Sequence, residues 1–314
     1  MKKVFVLGSI NMDLVMETER MPVLGESAIG SGFLSNQGGK GANQAVACAK
    51  LGCDCTFIGA VGRDDYGDKL LASVQCFGVK TEGVQRVEAH SGTCIILLDR
   101  SRQDNLLVVD PGANMQIDGN VAADYLRKHA QSGDILITQL ETNLDAVEKA
   151  VSIAKELGMF VVLNPAPARP VGREILQHID LIVPNETETA ILTGITPDTE
   201  KEILEVYRRF SAEGVKQMII TLGKRGSVYA FRDTLYWQSA RRVEAVDTTA
   251  AGDTFIGAVC ALLCRDVPIV QAMFMVRFVL PLRFLAVVRR FPFPRRRKLN
   301  NICKRRKGYV KRNR

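Results

Sequence analysis

Six short apolar runs punctuate the chain: Val4–Leu7, Cys55–Ala60, Ile135–Thr138, Phe160–Leu163, Leu181–Val183 and Met218–Leu222. Between them, apolar positions recur at helical spacing over Gly41–Leu51, Asp65–Phe77, Leu144–Leu157 and Lys201–Glu213. Continuous apolar strands alternating with amphipathic helices predict an α/β three-layer sandwich around a mainly parallel central sheet. Leu14–Phe33 and Ser91–Val109 break this rhythm, because they read as extended, turn-punctuated strands without crossover helices. They predict a small second sheet built from about 14–36 and 91–109, or else plain edge hairpins.

The richest local chemistry lies late in the chain, at Asp247-Thr248-Thr249-Ala250-Ala251-Gly252-Asp253, which leads into an apolar helical pattern ending at Cys264. A small-residue turn entering a helix leaves its first N–H groups bare, so it can cradle an anion. Asp253 in the first turn could take a proton from a hydroxyl attacking that anion. It could equally be an acid that merely suits the helix dipole.

Three further segments favour chemistry. Gly38-Gly39-Lys40-Gly41-Ala42-Asn43-Gln44 opens a helix, with glycines that let backbone approach a ligand and donors at Lys40 and Asn43. It is not a Walker loop, since Gly41 follows the lysine where Ser or Thr is required. Asn11 and Asp13, after the first strand, would face one side of extended chain. An amide beside a carboxylate suits sugar hydroxyls, though the pair also reads as a polar turn. Pro184-Asn185-Glu186-Thr187-Glu188 follows the strand Leu181–Val183, and carboxyl ends of parallel strands are where α/β sheets hold ligands.

These segments, with Asn164-Pro165-Ala166-Pro167 and Thr221-Leu222-Gly223, resemble the ribokinase-like (PfkB) family of carbohydrate kinases from Lys3 to about Ala272. The resemblance implies an ATP-dependent sugar kinase using Mg²⁺ and a monovalent cation such as K⁺. Its acceptor would be the 5-hydroxyl of D-ribose, with deoxyribose, fructose or a nucleoside as alternatives. It implies Asp253 as the base and Ala250, Ala251 and Gly252 as the anion hole. Asn11, Asp13, Gly39, Lys40, Asn43 and Glu141 would bind sugar. Asn185, Thr221, Gly223 and Gly226 would contact nucleotide, with Glu188 near the metal-bound phosphates. Asp247 and Thr249 would belong to the monovalent-cation site. The extra strands would be a lid over the sugar and a homodimer contact.

Composition adds two points. Eight cysteines without paired CxxC spacing read as reduced core thiols of a cytoplasmic protein, not a zinc site. Met1-Lys2-Lys3 leads into a stretch too short and polar for a secretory signal. Residues 271–314 hold fifteen Lys or Arg and no Asp or Glu, so the net +8 conceals an acidic body of net −7. After Ala272 the family's small residues give way to Met273-Phe274-Met275-Val276-Arg277, and Pro281 would break a continuing helix. The division expected is a kinase domain over 1–272 and an atypical basic tail over 273–314, disordered or out of frame. Arg277, Arg283 and Pro281 count against a membrane span. Nucleic acid would meet the tail only through non-specific charge, the basis of a rival, non-enzymatic reading.

Overall fold

The computed structural model describes residues 2–102, 104–240 and 250–279. The first half of the chain contributes β1 (Val4–Leu7), β2 (Asn11–Thr18), β3 (Ser31–Gly38), α1 (Lys40–Lys50), β4 (Cys55–Gly62), α2 (Asp65–Cys76) and β5 (Lys80–Val87). There follow β6 (Gly92–Asp99), β7 (Asp104–Asp110), α3 (Gly119–His129), β8 (Ile135–Gln139), α4 (Leu144–Glu156) and β9 (Phe160–Asn164). The rest is α5 (Arg173–Leu176), β10 (Leu181–Ile182), α6 (Glu186–Thr193), α7 (Glu200–Ala212), β11 (Gln217–Thr221), β12 (Ser227–Phe231), β13 (Thr234–Gln238), α8 (Ala251–Leu263) and α9 (Ile269–Val279).

All six predicted strands and all four predicted helices are present, most with ends shifted by one or two residues. They build a nine-stranded sheet in the order β13-β12-β11-β10-β9-β8-β1-β4-β5, parallel from β11 to β5 with an antiparallel hairpin, β12–β13, at one edge. Alternate residues of β1 feed two cores. Phe5 and Leu7 pack with Leu126 of α3, Val151 of α4 and Val206 of α7 on one face. Val4 and Val6 pack with Val46 of α1, Leu70 of α2 and Val259 of α8 on the other. The three-layer arrangement follows from strands that are apolar on both sides.

A separate four-stranded sheet runs β3-β2-β6-β7, antiparallel except for the parallel β2–β6 pair. The sequence placed its first strand from Leu14, but β2 already begins at Asn11. Asn11 and Asp13 therefore lie in the strand at the root of this sheet, and the turn reading fails. The tail beyond 279 and the segment 241–249, which carries Asp247 and Thr249, lie outside the described residues. Within α9, Met273 and Val276 are fully buried against the core while Phe274 and Met275 face outward. No helix among the described residues is long and apolar enough to cross a membrane.

The glycines at the start of α1 are explained first by packing. A Cβ on Gly41 would lie 2.8 Å from the backbone of Gly8 and Ser9, and Gly39 has φ 89° with Ile10 Cα 2.7 Å from where its Cβ would be. What approaches closely at these two positions is the chain itself, not only a ligand. This pins the start of α1 to the β1–β2 turn, with Ala42 N–H donating to Ser9 C=O at 2.9 Å. Gly41→Ala is expected to cost about 1–3 kcal/mol by forcing two backbone segments apart. A lower urea midpoint at unchanged slope is the expected reading; a wild-type midpoint would mean the contact yields freely.

Candidate active site

Helix starts in this fold are mostly capped by side chains. Asp64 caps α2, Asp118 α3, Asn143 α4, Asn185 α6 and Thr199 α7, the last two with reciprocal capping boxes. The starts of α1, the short α5 and α8 differ, since Gly39, Gly172 and Ala250 have no side-chain oxygen to offer. Ala250 holds a left-handed conformation (φ 63°), which turns the chain sharply into α8. The first helical bond of α8 runs from Thr254 N–H to Ala250 C=O at 2.9 Å. The amides of Ala251, Gly252 and Asp253 precede that bond, at the positive end of the helix dipole.

These amides open on a cleft of ≈ 180 Å³ lined by Lys40, Asn164, Asn185, Glu188, Thr221 and Ala250–Asp253, among others. It lies where β9, β10 and β11 end, the edge of a parallel sheet at which ligands collect. A larger hollow of ≈ 540 Å³ sits at the opposite edge, beside Lys2, Gly133 and Asp180. The Asp180 carboxylate there is already saturated by Lys155 and Lys216, each at 2.8 Å, so the chemistry belongs to the smaller cleft.

Asp253 is 8% exposed. Its Oδ1 accepts from Gln44 Nε2 at 3.0 Å and its Oδ2 from Asn43 Nδ2 at 3.2 Å. Burial drives the carboxyl above the ordinary carboxylate range; Lys40's charge and the two amide donors offset only part of this, and Glu141 adds to it. A buried carboxylate with a raised proton affinity is a stronger base than a free one, which is what proton abstraction from an alcohol requires.

Lys40 is the local cation. Burial would lower its pKa, but the negative charges of Asp253, Glu141 and Glu188 outweigh burial and hold it above the usual lysine value. Glu141 accepts from Lys40 N–H at 3.2 Å and from Ser9 Oγ, tying the start of α1 to the end of β8. Glu188 is raised chiefly by burial, against the pull of the Asn185 N–H and Lys40 and with the help of Asp253's charge.

Eight predicted residues thus line one cleft: Lys40, Asn185, Glu188, Thr221, Ala250, Ala251, Gly252 and Asp253. Asn43 and Glu141 join it through hydrogen bonds. Asn11, Asp13 and Gly39 stand together at the root of the smaller sheet, where Asn11 is buried and accepts from Asn114 Nδ2 at 2.7 Å. Gly223 and Gly226 lie outside the cleft lining, in the turn after β11, and a Cβ on Gly226 would meet Gln238 C=O at 1.9 Å. Their glycine identity is explained by that turn.

Sequence reasoning missed the roles of Asn114 and Gln44. Gln44 offered a signal: a polar residue just before the apolar run Ala45–Ala49, four positions after Lys40 and so on its face.

A helix start without a side-chain cap facing a cleft, a buried carboxylate at its first turn and a lysine opposite define a phosphotransferase of the α/β class. Sequence comparison carries this further. The profile of the pfkB family carbohydrate kinases matches residues 1–276, and the chain belongs to that family. It is 40% identical to the ribokinase of Haemophilus influenzae, over 84% of this chain and 86% of that protein. It is 39% identical to the bifunctional ribokinase/ribose-5-phosphate isomerase A of Fructilactobacillus sanfranciscensis, over 85% of this chain but only 49% of that protein. The fold superposes on Arabidopsis thaliana ribokinase complexed with ribose and ATP with a TM-score of 0.81 at 30% identity, covering 90% of this chain and 92% of that one.

Proposed function

We propose that the chain transfers the γ-phosphate of ATP to the 5-hydroxyl of D-ribose, giving ribose 5-phosphate. The observation that carries this reading is Asp253, buried and doubly hydrogen-bonded, directly beside the bare amides of α8. In this reading Asp253 takes the proton from the sugar's terminal hydroxyl as its oxygen attacks in line. The amides of Ala250, Ala251 and Gly252, with that of Asp253 beside them, receive the charge on the migrating phosphoryl group. Lys40 balances the surrounding carboxylates and lies ready for phosphate. Asn11, Asp13 and Gly39 hold the sugar under the small sheet, which acts as a lid excluding water as a rival nucleophile.

Mg²⁺ is commonly held by one or two carboxylates plus phosphate oxygens, and Glu188 at the cleft wall fits that donor set. When bound, the ion neutralises phosphate charge. The monovalent cation goes with Asp247 and Thr249, which lie outside the described residues.

A second copy of the chain is the partner we favour for the lid. Leu106, Leu107, Val108 and Val109 of β7 are exposed on both faces, as are Phe33 and Leu34 of β3. Apolar surface of this extent on a soluble protein marks an interface. The thiols of Cys48, Cys53, Cys55, Cys76, Cys260 and Cys264 are free among the described residues, which accords with the cytoplasm.

The test is the full chain with ATP, Mg²⁺, K⁺ and a panel of ribose, 2-deoxyribose, fructose and a nucleoside, with product read by phosphorus NMR. Ribose is expected to give the highest kcat/KM and a 5-phosphate. A faster reaction with another acceptor would reassign the substrate, and no sugar-dependent ADP release would reject the reading. Sedimentation equilibrium is expected to give a dimer that Leu107→Asp converts to monomer.

A further inference from the structure

We propose that Gln44 is the residue that positions Asp253, and that Gln139 and Asn164 fix which end of its carboxamide faces the carboxylate. This rests on the reading of Asp253 as the base. Gln44 is 0% exposed on the face of α1 that packs against α8. A buried amide is costly unless every polar atom is paired, and an apolar residue would serve a helix contact better. Here the pairing is complete. Nε2 donates to Asp253 Oδ1 at 3.0 Å and to Asn164 Oδ1 at 3.1 Å, while Oε1 accepts from Gln139 Nε2 at 2.8 Å.

The sense of each amide follows from its neighbours. A carboxylate can only accept, so the NH₂ end of Gln44 must face Asp253. Asn164 presents its oxygen to Gln44 because its own NH₂ donates to Val183 C=O at 3.1 Å. Gln139 must then offer its NH₂ to Gln44, which leaves its buried Oε1 without a hydrogen-bond partner among the described residues. That oxygen occupies the space a side chain at position 8 would need, since a Cβ on Gly8 would lie 1.9 Å from it. The chain Gly8–Gln139–Gln44–Asp253 therefore runs from the end of β1 to the base and spends an unpaired acceptor to hold one orientation.

The consequence is geometric. A carboxylate turns easily about its last bond, because that torsion is broad and two-fold. Donors on both oxygens, Gln44 on Oδ1 and Asn43 on Oδ2, stop the rotation and leave the remaining lone pairs toward the cleft. Lys40, Asn43 and Gln44 occupy positions i, i+3 and i+4 of α1, so one helix face supplies charge balance and both orienting bonds. Among the described residues, the charged groups that bear on Asp253 are Lys40 from α1, Glu141 from the turn after β8 and Glu188 from α6. None of them contacts Gln44 through a hydrogen bond, and removing its amide leaves all three in place.

The test uses the full chain with Gln44→Met, similar in length but without a donor, and Gln139→Met, whose side chain bonds Gln44 and not Asp253. Two readouts are needed: kcat and KM for both substrates, and the protonation of Asp253 followed by difference infrared spectroscopy against Asp253→Asn. Gln44→Met is expected to lower kcat ~10–100-fold, as misaligned reacting groups do, with KM for sugar and ATP nearly unchanged. The Asp253 carboxyl should then titrate at higher pH than in the wild type, having lost a donor to its charged form. Gln139→Met is expected to move both readouts the same way by less. A wild-type titration curve in Gln44→Met, or raised KM at unchanged kcat, would overturn the proposal. Should Gln44→Met fail to fold, an unchanged curve in Gln139→Met does so. If the chain phosphorylates no sugar, the functional reading fails, while the infrared titration still decides what Gln44 does.

Discussion

Asp253→Asn is expected to leave a folded protein that binds sugar and nucleotide but turns over ~10²–10⁴-fold more slowly, the usual worth of a positioned general base. The substitution keeps the size of the side chain and its place in the first turn of α8. Asn can still accept one hydrogen bond, so either Gln44 or Asn43 retains its partner, and Lys40 keeps Glu141 and Glu188 as counter-charges. What disappears is the basic lone pair. Unchanged KM values with collapsed kcat would mark an interaction made only in the transition state. Turnover within a few-fold of wild type in the folded variant would remove Asp253 from its role.

The same variant has a stability signature whose sign can be worked out. The folded-state pKa of Asp253 is raised, chiefly by burial, so the native protein holds this proton more tightly than the unfolded chain. Between the unfolded and the folded pKa the native state binds more protons, and stability falls as pH rises through that window. Above it the full cost of a buried charge remains, whereas Asn carries none. The stability difference, Asp253→Asn minus wild type, should therefore shift in favour of the variant as pH rises from the acid side toward neutrality. Urea midpoints measured across that range check it, and a difference independent of pH would mean that Asp253 titrates normally.

How much of this was legible in the sequence depended on whether the signal was local. The parallel strands announced themselves as apolar runs because both faces of the sheet are covered, and α2, α4 and α7 because one face of each is wet. The uncapped start of α8 was legible because Ala250-Ala251-Gly252-Asp253 offers only small residues and one first-turn acid just where a helix begins. Asn11 was left open between extended chain and a polar turn, since the partner that decides it, Asn114, lies 103 positions away. The Gln44 contact to Asp253 spans 209 positions and the one to Asn164 spans 120. No periodicity encodes such pairings; only a sheet that brings β1, β8 and β9 side by side does. The glycines were visible as glycines, but whether each makes room for backbone or for a ligand was not.

Gly252 settles that distinction in the opposite sense from Gly41, and the two together give a sharp test. A Cβ built on Gly252 meets nothing within 4 Å among the described residues, and its φ is not in the left-handed range. Packing by the described residues therefore does not demand a glycine there. In a helical first turn, alanine should hold the backbone as well or better, by up to about 1 kcal/mol. The space left free is the cleft itself, since Gly252 lines it beside Lys40 and Asp253. In the proposed reading a methyl group there would stand where the phosphoryl oxygens approach the α8 amides, lengthening hydrogen bonds whose worth depends on fit. Gly252→Ala is expected to keep or raise the urea midpoint while kcat/KM falls ~10²–10³-fold, the scale of losing one anion-hole donor. Gly41→Ala should do the reverse, losing stability first. If Gly252→Ala were instead destabilised, or fully active, the open face of this glycine would not be where the transferring phosphate sits, and the anion hole would have to be sought elsewhere along the cleft.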